Sequence, residues 1–255
     1  MDIAVLISGV ADPKWPLPAQ PSVAALHTHA TQYAALSPFD EAALEIALAL
    51  RDADPAVRIT ALVAADEGLT RKVAGWRPDT IHRLDLQAIP RWDSVAVARA
   101  LSQALHELAP SAGLVLVGRE FGDYDDGSVP AALSHSLDSP FMALVLGIKR
   151  TDSGLNATRQ GPGGLERLQI PGRALICATN DPGNRLRHPL MKNVMMAKKA
   201  VLPAWTALAP ADATAPTLQS VSHAQAPVRS IACEWLQGSA QQKADALAQV
   251  LRAAA

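Results

Sequence analysis

Three aspartates follow an apolar run near the middle of the chain, in the stretch GREFGDYDDGSVPAAL at positions 118–133. They are Asp123, Asp125 and Asp126. The preceding run, LVLV, is typical of a buried strand, and the following AALSHSL is typical of a helix. Carboxylates at this point could bind a metal ion or accept hydrogen bonds from backbone N–H groups, and a phosphate could instead lie on those N–H groups.

The position of this acidic loop favours a ligand site. In an α/β sheet, ligands bind beyond the carboxyl ends of the strands, and the loop follows such an end. Ser128 is expected to cap the next helix, and Pro130 suits its first turn. The free N–H groups and the dipole of a helix N-terminus suit a phosphate, whereas DYDD lacks the spaced ligands of a calcium loop. A nucleotide phosphate, a Mg²⁺ ion and a purely structural turn remain the three alternatives.

Two other stretches carry comparable signals. In SPFDEAALEIA (37–47), Ser37 can cap a helix whose first position is Pro38, and any site role of Ser37 would lie at the same sheet edge. In NVMMAKKAVLP (193–203), adaptable methionines are mixed with lysines just after the arginine-rich NRLRHPL (184–190). We name residues 184–203 the docking segment, because this composition favours a partner-docking surface; an ordinary amphipathic helix is the alternative.

The motifs of several enzyme classes are absent from the sequence. No G-x-G-x-x-G follows a strand, and neither a phosphate-binding G-x-x-x-x-G-K-[ST] loop nor a G-x-S-x-G nucleophile turn occurs. GPGG at 161–164 precedes a strand and is expected to be a turn. The spacing of Ser, His and Asp residues assembles no catalytic triad.

The elements that would position these residues alternate between strand and helix. Strands are predicted at 3–7, 57–64, 80–84 and 113–117, where the apolar runs are nearly continuous, as in strands buried on both faces. Helices are predicted at 40–51 and 94–108. Beyond residue 140, strands at 141–148, 165–170 and 173–179, with a polar turn at 150–164, favour an antiparallel extension. The whole predicts an α/β fold with a mostly parallel sheet, followed by a linker-like arm at 206–228 and a last helix at 239–252.

Composition limits the function classes. The chain has 255 residues, 49% of them hydrophobic and 18% charged, with a net charge of −1, so no face basic enough for nucleic acid is implied. The two cysteines form no disulfide framework. No signal peptide and no apolar stretch of membrane-spanning length is found, so we expect a cytoplasmic protein without membrane insertion.

Four stretches, in this order, resemble the β subunit of electron-transfer flavoproteins. SPFDEAALEIA is similar to that family's N-P-F-D-E-x-A-V-E-E-A, and GREFGDYDDGSVPAALS to its G-[KR]-Q-A-I-D-x-D-x-x-Q-[TV]-G-x-x-[LA]-A. GPGGLERL is similar to D-G-G-x-E before a strand. NRLRHPLMKNVMMAKK aligns without a gap with N-E-P-R-Y-x-x-L-P-N-I-M-K-A-K-K. The start, IAVLISGVADP, is similar to I-L-V-x-V-K-R-V-x-D, so the resemblance covers about 1–12 and 37–205.

The resemblance implies a fold and a task. The fold is an adenine-nucleotide α-hydrolase-like (Rossmann-like) domain over 1–205, with an arm and helix over 206–255 that pack on an α subunit. The heterodimer would hold FAD, mostly in the α subunit, accept electrons from a flavin-dependent dehydrogenase and pass them to a quinone-linked acceptor. The β subunit would hold AMP or a second FAD, and would be an electron carrier rather than an enzyme on its own.

The resemblance also implies functional residues. Those of the nucleotide site are Leu6, Ser37, Ala64, Asp123, Asp125, Gly127, Ser128 and Val129. Those of partner docking are Glu166, Arg187, Leu190, Met191, Met195 and Lys198. Met191 stands where the family has an anchoring Leu, and Glu166 is expected to pair with an arginine of the α subunit. No catalytic or metal-binding residue is implied.

The chain departs from the family pattern at the nucleotide site. Ser37 replaces Asn, Ser128 replaces Gln, Pro130 replaces Gly, and Ser8-Gly9 replaces a Lys-Arg pair. Two alternatives therefore stay open. One is a β-subunit paralogue that has lost AMP, and the other is an adenine-nucleotide-binding α/β enzyme related to hydrolases or ligases.

Overall fold

The computed structural model describes residues 1–20, 22–208 and 235–253. The chain forms two compact units. The first contains every strand of the described residues, and the described part of the second contains one helix. Most of the arm predicted for 206–228 lies outside the described residues.

Nine strands form one sheet in the order β11-β5-β4-β1-β6-β10-β7-β8-β9. The parallel strands are β1 (Asp2–Ile7), β4 (Arg58–Val63), β5 (Thr80–Asp85), β6 (Leu114–Gly118), β10 (Ala174–Ala178) and β11 (Ala204–Thr206). The antiparallel extension consists of β7 (Phe141–Thr151), β8 (Gly154–Gly161) and β9 (Gly164–Gln169), with β7 pairing parallel to β10. The predicted α/β fold with a mostly parallel sheet is confirmed.

Helices cover both faces of the sheet. They are α1 (Val23–Gln32), α2 (Pro38–Ala53), α3 (Glu67–Ala74), α4 (Ser94–Leu108), α5 (Ser128–Ser136) and α6 (Met191–Ala197). A two-stranded ribbon, β2 (Val10–Ala11) with β3 (Ala34–Ala35), lies beside the sheet, and α7 (Ala240–Ala253) forms the described part of the second unit. In β1, Val5 belongs to the core under α2 and Leu6 to the core under α4, which explains the continuous apolar runs.

Two predictions for the region beyond residue 140 are wrong. The polar turn at 150–164 contains strand β8, in which Leu155 and Ala157 pack against the core while the residues between them are polar. The strand at 173–179 is not part of the antiparallel extension, because β10 lies between β6 and β7 and runs parallel to both.

Helices α2 and α5 begin with different N-terminal caps. Ser37 caps α2 as predicted, within a capping box that includes Asp40, and Pro38 is the first helical residue. The prediction that Ser128 caps α5 is wrong. Gly127 occupies the cap position with φ of 101°, and Ser128 is already helical.

Candidate functional site

A cavity of about 730 Å³ opens at the carboxyl ends of β1, β4 and β5. Its size falls in the range of small-molecule sites, and its place beyond the carboxyl ends is where α/β sheets bind ligands. The lining residues come from three strand ends, from the β2–β3 ribbon and α1, and from the acidic loop. The β5–α4 loop contributes a continuous run, Leu86–Trp92.

The cavity wall combines apolar, aromatic and charged residues. Leu86, Ile89 and Ala64 are buried apolar residues of the wall. The rings of Trp92 and Tyr124 lie edge to face, with centroids 6.3 Å apart. A planar ring could pack on such a surface, because aromatic faces and edges attract one another.

Six charged side chains line the same cavity. They are Arg83, Arg91, Asp66, Glu67, Asp85 and Asp123. Burial lowers the pKa of Arg91 below its ordinary value, while the charges of Tyr124 and Asp123 act in the opposite direction. Desolvation of this guanidinium makes a bound anion more favourable there than at an exposed arginine.

Asp125 occupies the N-terminus of α5. One carboxylate oxygen, Oδ1, accepts the N–H groups of Gly127, Ser128 and Val129 at 3.0, 2.9 and 3.1 Å. The other, Oδ2, accepts the N–H of Phe121 at 2.8 Å. The N–H groups proposed for a phosphate are therefore already hydrogen-bonded to a carboxylate of the same loop.

Asp40 joins α2 to the end of β1. Its buried carboxylate accepts the N–H groups of Ser8 at 3.2 Å, Gly9 at 3.1 Å and Ser37 at 3.1 Å. Burial is the main cause that raises the pKa of Asp40 to about 6, against the opposing hydrogen bonds. Because Ser8 and Gly9 line the cavity, their hydrogen bonds to Asp40 fix the position of this part of the cavity rim.

The structure places only some of the predicted nucleotide-site residues in the cavity wall. Ala64 and Asp123 line the cavity, and Asp123 also accepts the N–H of Ala11 at 2.7 Å. Leu6 and Ser37 are buried and are not lining residues. The other four predicted positions lie together at the start of α5, where Asp125 accepts the N–H groups of Gly127, Ser128 and Val129.

Sequence reasoning missed the β5–α4 loop, which supplies Gln87, Arg91 and Trp92 to the cavity. The signal was present, because this loop follows the carboxyl end of a predicted strand, as the acidic loop does. Arg83 was also missed, although it lies near the carboxyl end of β5, which was a predicted strand.

The docking segment is held on α2 and α3. Arg187 bonds to Glu45, with an Nη2–Oε1 distance of 2.6 Å, and to Asp52 of α2. The Arg187 carbonyl accepts the indole N–H of Trp76 at 2.7 Å. Hydrogen bonds to Glu45 first, and then to Asp52, raise the pKa of Arg187 above its usual range.

A second arginine holds the other end of the docking segment. Arg71 of α3 donates to the carbonyls of Ala197, Lys198 and Ala200 at 3.0, 2.8 and 3.2 Å. These carbonyls lie at the C-terminal end of α6, where a cation is favourable. The C-terminal half of helix α3 therefore contacts the docking segment, while Glu67 in the first turn of this helix lines the cavity.

Four apolar side chains of the docking segment are exposed on this fixed backbone. Leu190 is 70% exposed, Met191 74%, Met195 54% and Met196 49%. Lys198 is also exposed. Clustered apolar exposure next to basic residues is typical of protein interaction sites.

Glu166 has a partner within the chain. Its Oε2 lies 2.7 Å from Nε of Arg159, across the β8–β9 pair. Both side chains are about one third exposed, so the pair is accessible from solvent. Any α-subunit arginine would have to compete with Arg159 for this carboxylate.

Neither a metal cluster nor a membrane-spanning helix is present in the described part of the chain. Over 1–20, 22–208 and 235–253, no group of three His, Cys, Asp or Glu side chains is placed to hold a metal ion. None of the helices in these ranges is long and apolar enough to cross a membrane.

Comparison with known proteins gives a consistent family. The model of the electron transfer flavoprotein domain matches residues 26–210. The chain is 30% identical to the electron transfer flavoprotein subunit beta of Megasphaera elsdenii over 175 residues, covering 66% of this chain and 64% of that protein. It is 25% identical to the same subunit of Bradyrhizobium diazoefficiens over 165 residues, covering 64% and 65%. For Dictyostelium discoideum the values are 25% over 174 residues, 66% and 66%.

The matched part spans just under two thirds of the length of each relative. The family model nevertheless covers most of the chain, from α1 to just beyond β11. The four stretches that carry the sequence resemblance map onto the cap and N-terminal part of α2, the acidic loop before α5, the β8–β9 turn and the docking segment. The chain therefore belongs to the electron transfer flavoprotein family, as a member of its β-subunit branch.

Proposed function

We propose that this chain is the β subunit of a heterodimeric electron transfer flavoprotein. Together with an α subunit it holds FAD, accepts electrons from a flavin-dependent dehydrogenase and passes them toward a quinone-linked acceptor, in the cytoplasm. The flavin supplies the redox chemistry, and the protein supplies position and electrostatics. The subunit is an electron carrier and not an enzyme on its own.

The observation that carries this proposal is the docking segment. Leu190, Met191 and Met195 are exposed on a backbone that Arg187 and Arg71 hold at both ends. A fixed backbone lowers the conformational entropy lost on binding, and methionine side chains adapt to the shape of a partner. A carrier that meets a dehydrogenase transiently needs such a surface, and Met191 is the most exposed hydrophobic side chain of α6.

The cavity supports a nucleotide in this subunit. Its volume and its place beyond β1 and β4 suit AMP, with Ala64 beside the adenosine. The variant of this function in which AMP has been lost is the alternative, because Ser37, Ser128 and Pro130 replace the family's Asn, Gln and Gly at this site. The nucleotide content of the purified heterodimer distinguishes a subunit that binds AMP from one that has lost it.

The test is co-expression with an electron transfer flavoprotein α subunit. We expect a heterodimer with one FAD that a flavin-dependent dehydrogenase reduces. Met191→Asp should keep heterodimer and FAD but lower the second-order rate of reduction about tenfold or more, since a charge at a buried anchor costs over about 1.4 kcal/mol. Val95→Asp is the control, because Val95 is also exposed but lies on α4.

Two results would contradict the proposal. One is the absence of both a stable heterodimer and bound flavin. The other is an equal loss of rate in Met191→Asp and Val95→Asp, which would remove the docking segment from the partner surface. Acid release and chromatography of the bound nucleotides then distinguish FAD with AMP, two FAD, and FAD alone.

A further inference from the structure

The two arginines of the cavity lack acceptors. Within the described part of the chain, the guanidinium groups of Arg83 and Arg91 make no side-chain hydrogen bond and no ion pair, although both line the cavity. A guanidinium has five N–H donors in a planar fork that matches carboxylate and phosphate. Donors at a partly desolvated site favour an acceptor from outside the chain.

The carboxylates of the cavity are, in contrast, already engaged. Asp66 accepts the N–H of Leu69 at 2.9 Å, and Asp85 accepts that of Gln87 at 3.0 Å. Asp123 accepts the N–H of Ala11 at 2.7 Å. Glu67 pairs with Arg71, which leaves the two cavity arginines as the charged groups without such contacts.

The charges of the lining decide how an anion could be held. Four carboxylates and two guanidinium groups give the lining a net charge of −2. The field of the whole wall therefore does not attract an anion, and only direct, charge-assisted hydrogen bonds from the arginines can hold one. The N-terminus of α5 is no alternative, because Asp125 accepts its first N–H groups.

We propose that Arg83 and Arg91 bind the phosphate of a nucleotide in this cavity, on the side of the β5–α4 loop, while its base packs against the apolar wall near Ala64. The ligand class is a nucleotide rather than a free anion, because the cavity offers an apolar and aromatic wall beside the arginines. This inference rests on the nucleotide part of the proposed function and deepens it. It assigns the phosphate to side chains that the family pattern does not include.

The experiment is calorimetric titration of the nucleotide-free full chain with AMP, adenosine and inorganic phosphate. We expect AMP to bind about tenfold or more tightly than adenosine, equivalent to about 1.4 kcal/mol. Arg91→Gln and Arg83→Gln should each remove most of that advantage while the affinity for adenosine stays unchanged. Arg91→Lys should retain part of it, because a lysine keeps the charge without the fork.

The matched control is Arg173→Gln, an exposed arginine just before β10 at the amino end of the sheet. It should leave all three affinities unchanged. Binding of AMP no tighter than adenosine, or an advantage of AMP that survives in both glutamine variants, would overturn the proposal. Binding of phosphate alone with the affinity of AMP would show a simple anion site and would also overturn it.

This test is independent of electron transfer. It uses neither the α subunit nor a dehydrogenase, so a failure of heterodimer formation or of flavin reduction leaves its result unaffected. Conversely, a heterodimer that transfers electrons while both glutamine variants keep the advantage of AMP would support the carrier function and refute the phosphate assignment.

Discussion

The Oδ1 atom of Asp125 lies 2.9 Å from the backbone nitrogen of Ser128. The same oxygen accepts the N–H groups of the residues on either side of Ser128, at 3.0 and 3.1 Å. A carboxylate of the chain thus takes the place that an external anion takes at many helix N-termini. The acidic loop stabilises its own turn, and the positive end of α5 is neutralised from within.

Asp125→Ala is expected to lower the free energy of unfolding by about 2–3 kcal/mol, because four N–H groups lose a charged acceptor. Chemical denaturation measures the change. Asp126→Ala is the control, since Asp126 is exposed and accepts only the Ser128 hydroxyl. Equal losses in the two variants would contradict the role assigned to Asp125.

Gly9→Ala should destabilise the protein by about 1–3 kcal/mol. Gly9 has φ of 69°, and an added Cβ would collide with the Leu69 side chain and lie 3.2 Å from the Ala35 carbonyl oxygen. Gly163→Ala should change stability by less than about 0.5 kcal/mol, because nothing lies within 4 Å of the added methyl group. Thermal or chemical unfolding of both variants compares them, and a tolerated Gly9→Ala would refute the close packing at the cavity rim.

Asp40 should make stability depend on pH. Its folded pKa of about 6 lies above the ordinary value of 3.8, so the folded protein binds the proton more tightly than the unfolded chain. Its contribution to the free energy of unfolding therefore rises as pH falls through 6 and is lost as pH rises above 6. Between about pH 7.5 and about pH 5 the change amounts to about 1 kcal/mol.

Asp40→Asn isolates this contribution. The variant should be less stable at every pH, because the NH₂ group that replaces Oδ2 is a donor and cannot accept the N–H groups of Gly9 and Ser37. The stability gap to the native protein should widen by about 1 kcal/mol on going from about pH 7.5 to about pH 5. A gap that stays constant with pH would show that Asp40 does not titrate in this range.

Arg187→Ala should loosen the docking segment without unfolding the domain. The loss of two partly exposed ion pairs is expected to cost less than about 1 kcal/mol globally, while amide exchange in the docking segment accelerates about threefold to tenfold. Arg150→Ala is the matched control, because Arg150 of β7 pairs with Asp54 and not with a residue of the docking segment. Unchanged exchange in Arg187→Ala would show that Trp76 and Arg71 hold the segment alone.

Features that depend on residues close together in the sequence were predicted correctly. The capping box of α2 requires only Ser37 and Asp40 at the right spacing, and the buried parallel strands show continuous apolar runs. Strand β8 was missed because only Leu155 and Ala157 mark its inner face, too few apolar residues to show the alternation of an antiparallel strand.

The candidate site depends more on long-range pairing. Arg83 and Arg91 line the cavity because β5 pairs with β4 and so lies two strands from β1, an order that spacing along the chain does not encode. For Asp125, the residue types allowed either an open phosphate site or a self-bonded turn. The choice between them depends on the loop path from Phe121 to Val129, which local propensity does not determine.

Helix α3 connects two surfaces that were described separately. Its first turn carries Glu67 to the cavity, and about one turn later Arg71 carries the end of the docking segment. A helix of eight residues is about 12 Å long, so the cavity and the docking segment are joined through one short element. Thermodynamic reciprocity requires that any effect of a cavity ligand on partner affinity is matched by an equal effect of the partner on the ligand.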